Sequence, residues 1–184
     1  AQVALAKLSK GENIDNITQW LLSKSGATKE LTWYLQIIID SNGAASCVVN
    51  YDSSDHNVKV NDQMKLEGSP GACLQFAAAN NRMKIKENCL DKEFNVQCDQ
   101  SFKTNLLYEK SAGGTIFVSP ETHAASVGAW TVEEVTAKCF KEGTSCDYEG
   151  SLWATVALYA NGEDTNKFAP YLRAMSADNK KYFP

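Results

Sequence analysis

The sequence predicts an α+β fold: an antiparallel β-sandwich or barrel of about seven short strands, inserted between two helical hairpins. Two observations carry this. Apolar residues recur at period two through the middle of the 184-residue chain and at the helical period toward its two ends. Clusters of Gly, Asn, Asp and Ser punctuate the period-two runs. With 43% hydrophobic residues, 22% charged residues and a formal net charge of −4, the chain reads as an ordinary folded protein rather than a disordered, collagenous or coiled-coil one.

The first division is a helical hairpin over residues 1–26. Val3, Leu5 and Leu8 lead to Gly11, which suits a helix C-terminal position, and Asn13 can cap a second helix through Ile14, Ile17, Trp20 and Leu21 up to Gly26. A β-sandwich-like insert over residues 27–120 follows. Leu31, Trp33, Leu35, Ile37 and Ile39 alternate with mostly polar or amphipathic neighbours, the pattern of a strand with one buried face. Shorter runs share it: Ser46 to Tyr51, Asn57 to Asn61, Arg82 to Lys86, Glu93 to Cys98, Phe102 to Tyr108 and Thr115 to Ser119. Turns fall at Asp40-Ser41-Asn42-Gly43, Asp52-Ser53-Ser54-Asp55, Gly68-Ser69-Pro70-Gly71 and Ala112-Gly113-Gly114, while Leu74 to Asn80 reads equally as a helical turn or a loop.

The third division, residues 121–184, is expected to be helical and to pack with residues 1–26. Thr131 and Glu134 have the spacing of a capping box, and Trp130 can staple onto Val135, starting a helix through Phe140. Leu152 to Ala160 is apolar on nearly every side and closes at Asn161-Gly162, as a mostly buried helix would. A last helix carries Phe168, Tyr171, Leu172 and Met175, with Pro170 placing its start within one turn of Lys167.

The flanks align on each other. With Gly11 laid on Gly162, Ala6 meets Ala157, Glu12 meets Glu163, Ile17 meets Phe168, Trp20 meets Tyr171 and Leu21 meets Leu172. The run Ser151 to Leu158 followed by Gly162 and Tyr171-Leu172, together with Ala4 to Leu8, Gly11 and Trp20-Leu21-Leu22, resembles the repeat of the α/α-toroid superfamily. That superfamily includes squalene and terpene cyclases, prenyltransferase β-subunits, thioester domains and cobalamin carriers. The resemblance covers the helical flanks and implies a piece of a larger toroid-like protein, since two hairpins do not make a toroid. The chemistry of those relatives is not carried with it. No run of aspartates stands in for a cyclase acid, Gly71-Ala72-Cys73-Leu74-Gln75 has the wrong spacing for a thioester, and neither histidine sits in a prenyltransferase-like zinc setting.

Cys47, Cys73, Cys89, Cys98, Cys139 and Cys146 are an even set, expected to form disulfides and so to place the protein outside the cytoplasm, extracellular or at a cell surface. Six cysteines allow fifteen pairings; short separation favours Cys89 with Cys98 and Cys139 with Cys146, leaving Cys47 with Cys73. No Cys-x-x-Cys pair supports zinc or thioredoxin-type redox chemistry. Asp52, Asp55 and Asp62 lack the alternating pattern of a calcium loop, so neither a metal nor a cofactor is expected.

His56 and His123 lie in loop-like sequence without a nucleophile elbow and read as exposed residues, and Asn16-Ile17-Thr18 reads as a chance glycosylation motif because it falls in a helix. No phosphate-binding loop is present, and the acidic balance without a Lys/Arg cluster argues against nucleic acid. No apolar run is long enough to span a membrane, and the N-terminus lacks the pattern of a signal peptide.

Trp33 shares its strand face with four aliphatic residues and reads as core; Tyr34, Tyr51 and Tyr108 are the aromatic candidates for surface binding. The functional expectation is a noncatalytic extracellular or cell-surface binding or structural module, with a protein or glycan partner or self-association through strand edges. The toroid resemblance implies two alternatives, a cyclase- or prenyltransferase-like enzyme fragment and part of a cobalamin-type carrier.

Overall fold

The computed structural model describes residues 1–41, 43–79, 81–110 and 114–182, and of Tyr182 only the backbone. Asn42, Asn80 and the Ala112-Gly113 part of the predicted glycine turn lie outside the described residues. In chain order the elements are α1 (Gln2–Leu8), α2 (Asp15–Lys24), β1 (Ser25–Ala27), β2 (Thr32–Ile39), β3 (Ala45–Tyr51), β4 (Ser54–Val60), β5 (Leu66–Gly68), β6 (Leu74–Phe76) and β7 (Met83–Ile85). They continue as β8 (Glu93–Cys98), β9 (Phe102–Glu109), β10 (Phe117–Ala125), β11 (Trp130–Glu134), β12 (Lys138–Glu142), β13 (Ser145–Cys146), α3 (Tyr148–Ala160) and α4 (Ala169–Met175). The chain divides into two compact units, Thr32–Val135 and Ala1–Leu31 with Thr136–Pro184.

The unit Thr32–Val135 holds two five-stranded antiparallel sheets, ordered β10-β9-β2-β7-β6 and β11-β8-β3-β4-β5. All seven predicted strand segments carry a strand, and β5, β6 and β11 are additional among the described residues of this unit. The ambiguous stretch from Leu74 thus opens as β6, which pairs with β7. Alternation builds the core. In the first sheet Trp33, Leu35, Ile37 and Ile39 are buried beside Phe102, Leu106 and Tyr108 of β9. In the second, Val49, Val58, Val60, Phe94 and Val96 are buried. The Thr104 hydroxyl on β9 donates to the Glu133 carboxylate on β11 at 2.7 Å, joining the sheets. This two-sheet arrangement fits a β-sandwich, and it is not a closed barrel.

Two disulfides lock this unit. Cys47 and Cys98 are directly opposed across β3 and β8, their Cα atoms 4.1 Å apart, and Cys73 is bonded to Cys89. The predicted Cys89–Cys98 and Cys47–Cys73 bonds are therefore incorrect. Nearness in sequence favoured Cys89 with Cys98, but register puts Cys98 on the same inward face as Cys47.

The helix predicted from Thr131 is also incorrect. Thr131, Val132, Val135 and Thr136 are β-branched, and Thr131 and Glu133 are buried while Trp130, Val132 and Glu134 are exposed. Period-two burial and β-branched stiffness together favour a strand, and the segment pairs with β8 over its whole length. Residues 121–125 and 130–134 accordingly belong to β10 and β11 and not to a helical segment.

In the other unit, β12 pairs with β1 and β13 in a three-stranded sheet. Phe140 of β12 packs with Ala4, Ile14, Leu21, Ala154, Ala157, Leu158 and Phe168. The fully buried Ser151 hydroxyl accepts from the Phe140 N–H at 2.9 Å, pinning α3 to β12. Asp147 caps α3, its carboxylate accepting from the Gly150 N–H at 2.6 Å. Cys139 and Cys146 are bonded as predicted, tying β12 to β13. The glycines after α1 and α3 close those helices alike. Gly11 and Gly162 have positive φ, and the N–H groups of Glu12 and Glu163 reach back to the Lys7 and Leu158 carbonyls.

The α/α-toroid resemblance is nonetheless overturned. Strands make up 39% of the chain against 27% helix, in three sheets, whereas a toroid is built from helices. The enzyme-fragment and carrier readings lose the resemblance on which they rested.

Candidate functional site

The three tyrosines expected at the surface are buried, with relative exposures of 6% for Tyr34, 4% for Tyr51 and 1% for Tyr108. Each has a structural task. Tyr108 packs against Trp33 and Phe117, with ring centroids 5.0 and 5.4 Å away. The Tyr51 hydroxyl donates to the Pro70 carbonyl at 3.0 Å and accepts from the Cys73 N–H at 3.1 Å, and its ring stacks on His56 at 4.3 Å. His56 is thereby packed rather than exposed.

Tyr34 does point away from Trp33, but its hydroxyl donates to the buried Glu109 carboxylate and the Arg82 guanidinium lies 4.8 Å over its ring. Burial, reinforced by the Glu109 hydrogen bond and charge, pushes its phenol up to about 12. The second Glu109 oxygen, Oε2, has no partner among the described residues.

His123 is 44% exposed at its side chain, and its Nδ1 lies 2.9 Å from Glu133 Oε1. The Thr104 hydroxyl donates to the same oxygen. A carboxylate orienting a histidine is part of a general-base arrangement, but here the nearby hydroxyl serves the carboxylate and is not presented to the ring. The cluster joins β9, β10 and β11 and does not assemble a nucleophile.

Among the described residues no three His, Cys, Asp or Glu side chains converge as metal ligands. Asp52 pairs with Lys92 at 2.8 Å, and Asp55 accepts from the Asn50 amide at 2.7 Å. Asn16 is exposed on α2, while Thr18 of the same motif is buried and its hydroxyl accepts from Asn161.

The outward face of the sheet β11-β8-β3-β4-β5 has a different character. Trp130 stands opposite Gln97, which stands opposite Val48; in the next row Val132, Asn95, Asn50 and Asp55 lie side by side across four strands. Trp130 and Val132 are 46% and 42% exposed, and the three amides are half-buried. Each amide is held through its N–H group: Asn50 to Asp55 at 2.7 Å, Asn95 to Glu93 at 2.9 Å, and Gln97 to the Gly128 carbonyl. Among the described residues, the three amide oxygens have no hydrogen-bond partner.

The result is a sheet face with one large aromatic and a row of oriented amides, which sequence reasoning missed because Trp130 read as the staple of a helix. The alternation of Trp130, Val132 and Glu134 against Thr131 and Glu133 was the signal for it.

Among the described residues no helix is long and apolar enough to cross a membrane. Comparison with family models, with curated proteins and with solved structures finds no match to this chain.

Proposed function

We propose that this chain is a noncatalytic, extracellular or cell-surface binding module that presents the Trp130 face to its partner. The observation that carries the compartment is the cysteine pairing: three disulfides, with no free cysteine among the described residues. Such bonds form and persist in oxidising compartments and are rare in the cytosol. Binding, rather than catalysis, is supported by where the polar groups go. Tyr51 is spent on holding the Pro70–Cys73 segment and the His123–Glu133–Thr104 cluster on joining strands, whereas the amides of the Trp130 face, each fixed through one N–H, keep oxygens with no hydrogen-bond partner among the described residues.

Intact mass under denaturing, nonreducing conditions, with and without a thiol-alkylating reagent, tests the compartment. The expected result is no alkylation and a mass six hydrogens below that of the reduced chain, which has six cysteines. Labelled thiols on the folded protein would overturn it.

A further inference from the structure

We infer that the outward face of β11, β8 and β3 is a recognition site for a neutral, polyhydroxylated glycan, with Trp130 as the stacking platform and Asn50, Asn95 and Gln97 as hydroxyl acceptors. The inference rests on the binding-module reading and names its ligand class.

Three observations point to sugar. A pyranose ring offers an apolar face of C–H groups and an equatorial rim of hydroxyls, so its complement is an aromatic plane flanked by in-plane hydrogen-bonding groups. Trp130 is the exposed aromatic of this face, and its neighbour across the ladder is Gln97. A β-sheet sets laterally adjacent side chains about 4.8 Å apart and same-face residues along a strand about 6.8 Å apart, spacings on the scale of a sugar ring and its linkage.

The second observation is polarity of the hydrogen-bonding set. Asn50, Asn95 and Gln97 each commit one N–H to a protein oxygen, which fixes the amide and leaves its carbonyl oxygen and its second N–H for a ligand. Sugar hydroxyls, which both donate and accept, are the partners that such a row of fixed amides requires. Because the amides are already held, little side-chain freedom is lost on binding, which suits a weakly binding ligand class.

Charge is the third. Glu93, Glu134, Asp55 and Glu67 surround the patch, against Lys59 as the basic residue on the same face. That excess repels sulfated or carboxylated chains and nucleic acid and leaves neutral or amine-bearing sugars. A protein partner fits less well. Specific protein interfaces bury about 800 Å² per partner around an apolar core, and here Trp130 and Val132 are followed immediately by a ladder of amides and carboxylates.

The test is an NMR titration of ¹⁵N-labelled full-length protein with cello-, manno-, xylo- and N-acetylchito-oligosaccharides up to about 10 mM, a range that detects affinities down to millimolar. Heparin oligosaccharide is the anionic counterpart. At least one neutral series should shift the Trp130 indole N–H and the Asn50, Asn95 and Gln97 side-chain amide signals, and heparin should leave them in place. Trp130→Ala should weaken that binding at least tenfold, while Trp130→Tyr, which keeps a stacking ring, should stay within about threefold of the parent, fold-changes of about 1.4 and 0.7 kcal/mol.

Should Trp130→Ala not fold, Asn50→Ala and Asn95→Ala carry the same test, each weakening binding at least threefold with a native spectrum. No shift with any neutral series, shifts confined to another face, or equal binding of heparin would each overturn the inference. The thiol count is independent of this titration. A fully disulfide-bonded protein that ignores every sugar sinks the glycan inference alone, whereas free thiols sink the extracellular reading.

Discussion

Removing the Cys47–Cys98 bond should be the most damaging single cross-link deletion in the two-sheet unit. The bond closes a loop of sequence separation 51, against 16 for Cys73–Cys89. In the loop-entropy description the unfolded chain regains about 4 kcal/mol of freedom when the longer loop is opened and about 3 kcal/mol for the shorter. The perturbation is the double substitution Cys47→Ala with Cys98→Ala, which keeps the buried positions apolar. Trp33 is 2% exposed, whereas Trp20, Trp130 and Trp153 are 57%, 46% and 37% exposed, so the red shift on unfolding reports chiefly on the Trp33 unit. With a urea m-value of about 2 kcal/mol/M, the midpoint should fall by about 2 M, and by about 1.5 M for the Cys73→Ala, Cys89→Ala protein. A fall below about 0.5 M for the longer loop, or a larger fall for the shorter one, would refute the entropic reasoning. Peptides cross-linked Cys89 to Cys98 in a nonreducing digest would refute the pairing itself.

Two further outcomes follow from buried groups. Tyr34 ionises near 10 in the unfolded chain and is pushed up to about 12 when folded, so its contribution is fully present below pH 10 and is lost as pH rises through the folded value. The difference is worth on the order of 3 kcal/mol. Tyr171 and Tyr148 are also raised by burial, so the quantity to measure is the difference in alkaline slope between the parent and Tyr34→Phe, which should be shallower in the variant; equal slopes would refute the assignment. Gly71 has φ +82°, and a Cβ there would fall on the Tyr51 hydroxyl and the His56 ring. Gly71→Ala should therefore cost about 2–3 kcal/mol in urea unfolding, whereas Gly128→Ala, with similar φ but open space around it, should cost about 1 kcal/mol.

Much of the fold was legible where a local pattern and its tertiary environment agreed. Leu31, Trp33, Leu35, Ile37 and Ile39 recur at period two, and Thr32–Ile39 is strand β2; Gly11 and Gly162 read as helix ends and adopt the positive φ that such ends use. Pro170 sits in the first turn of α4, where its missing N–H costs nothing. Legibility failed where two local signals competed. Thr131 and Glu134 satisfy the spacing of a helix cap, but the same residues sit in a β-branched run, and pairing with β8 decided between them.

It failed again where contacts join residues distant in sequence. Nothing near Tyr34 in the chain announces that Arg82 covers its ring and Glu109 holds its hydroxyl. The disulfide pairs were misassigned for the same reason, because register and not proximity selects Cys98 for Cys47. The Trp130 face was invisible because it is a property of four strands together, although each of its rows is plain once the ladder is known.

The order in which the units are laid down along the chain also governs how the protein can be made. The two-sheet unit is continuous in sequence, while its companion needs both ends of the chain: β1 pairs with β12, Ala27 against Lys138, with the whole insert between them. The inserted unit carries all of its own strands and can fold as a unit without waiting for the strand that β1 needs. Every disulfide respects that boundary, since Cys47–Cys98 and Cys73–Cys89 lie within the insert and Cys139–Cys146 within the later segment. Oxidation can thus proceed in two sealed stages. With the insert oxidised within itself, the fifteen pairings open to a free chain reduce to the three that four cysteines allow.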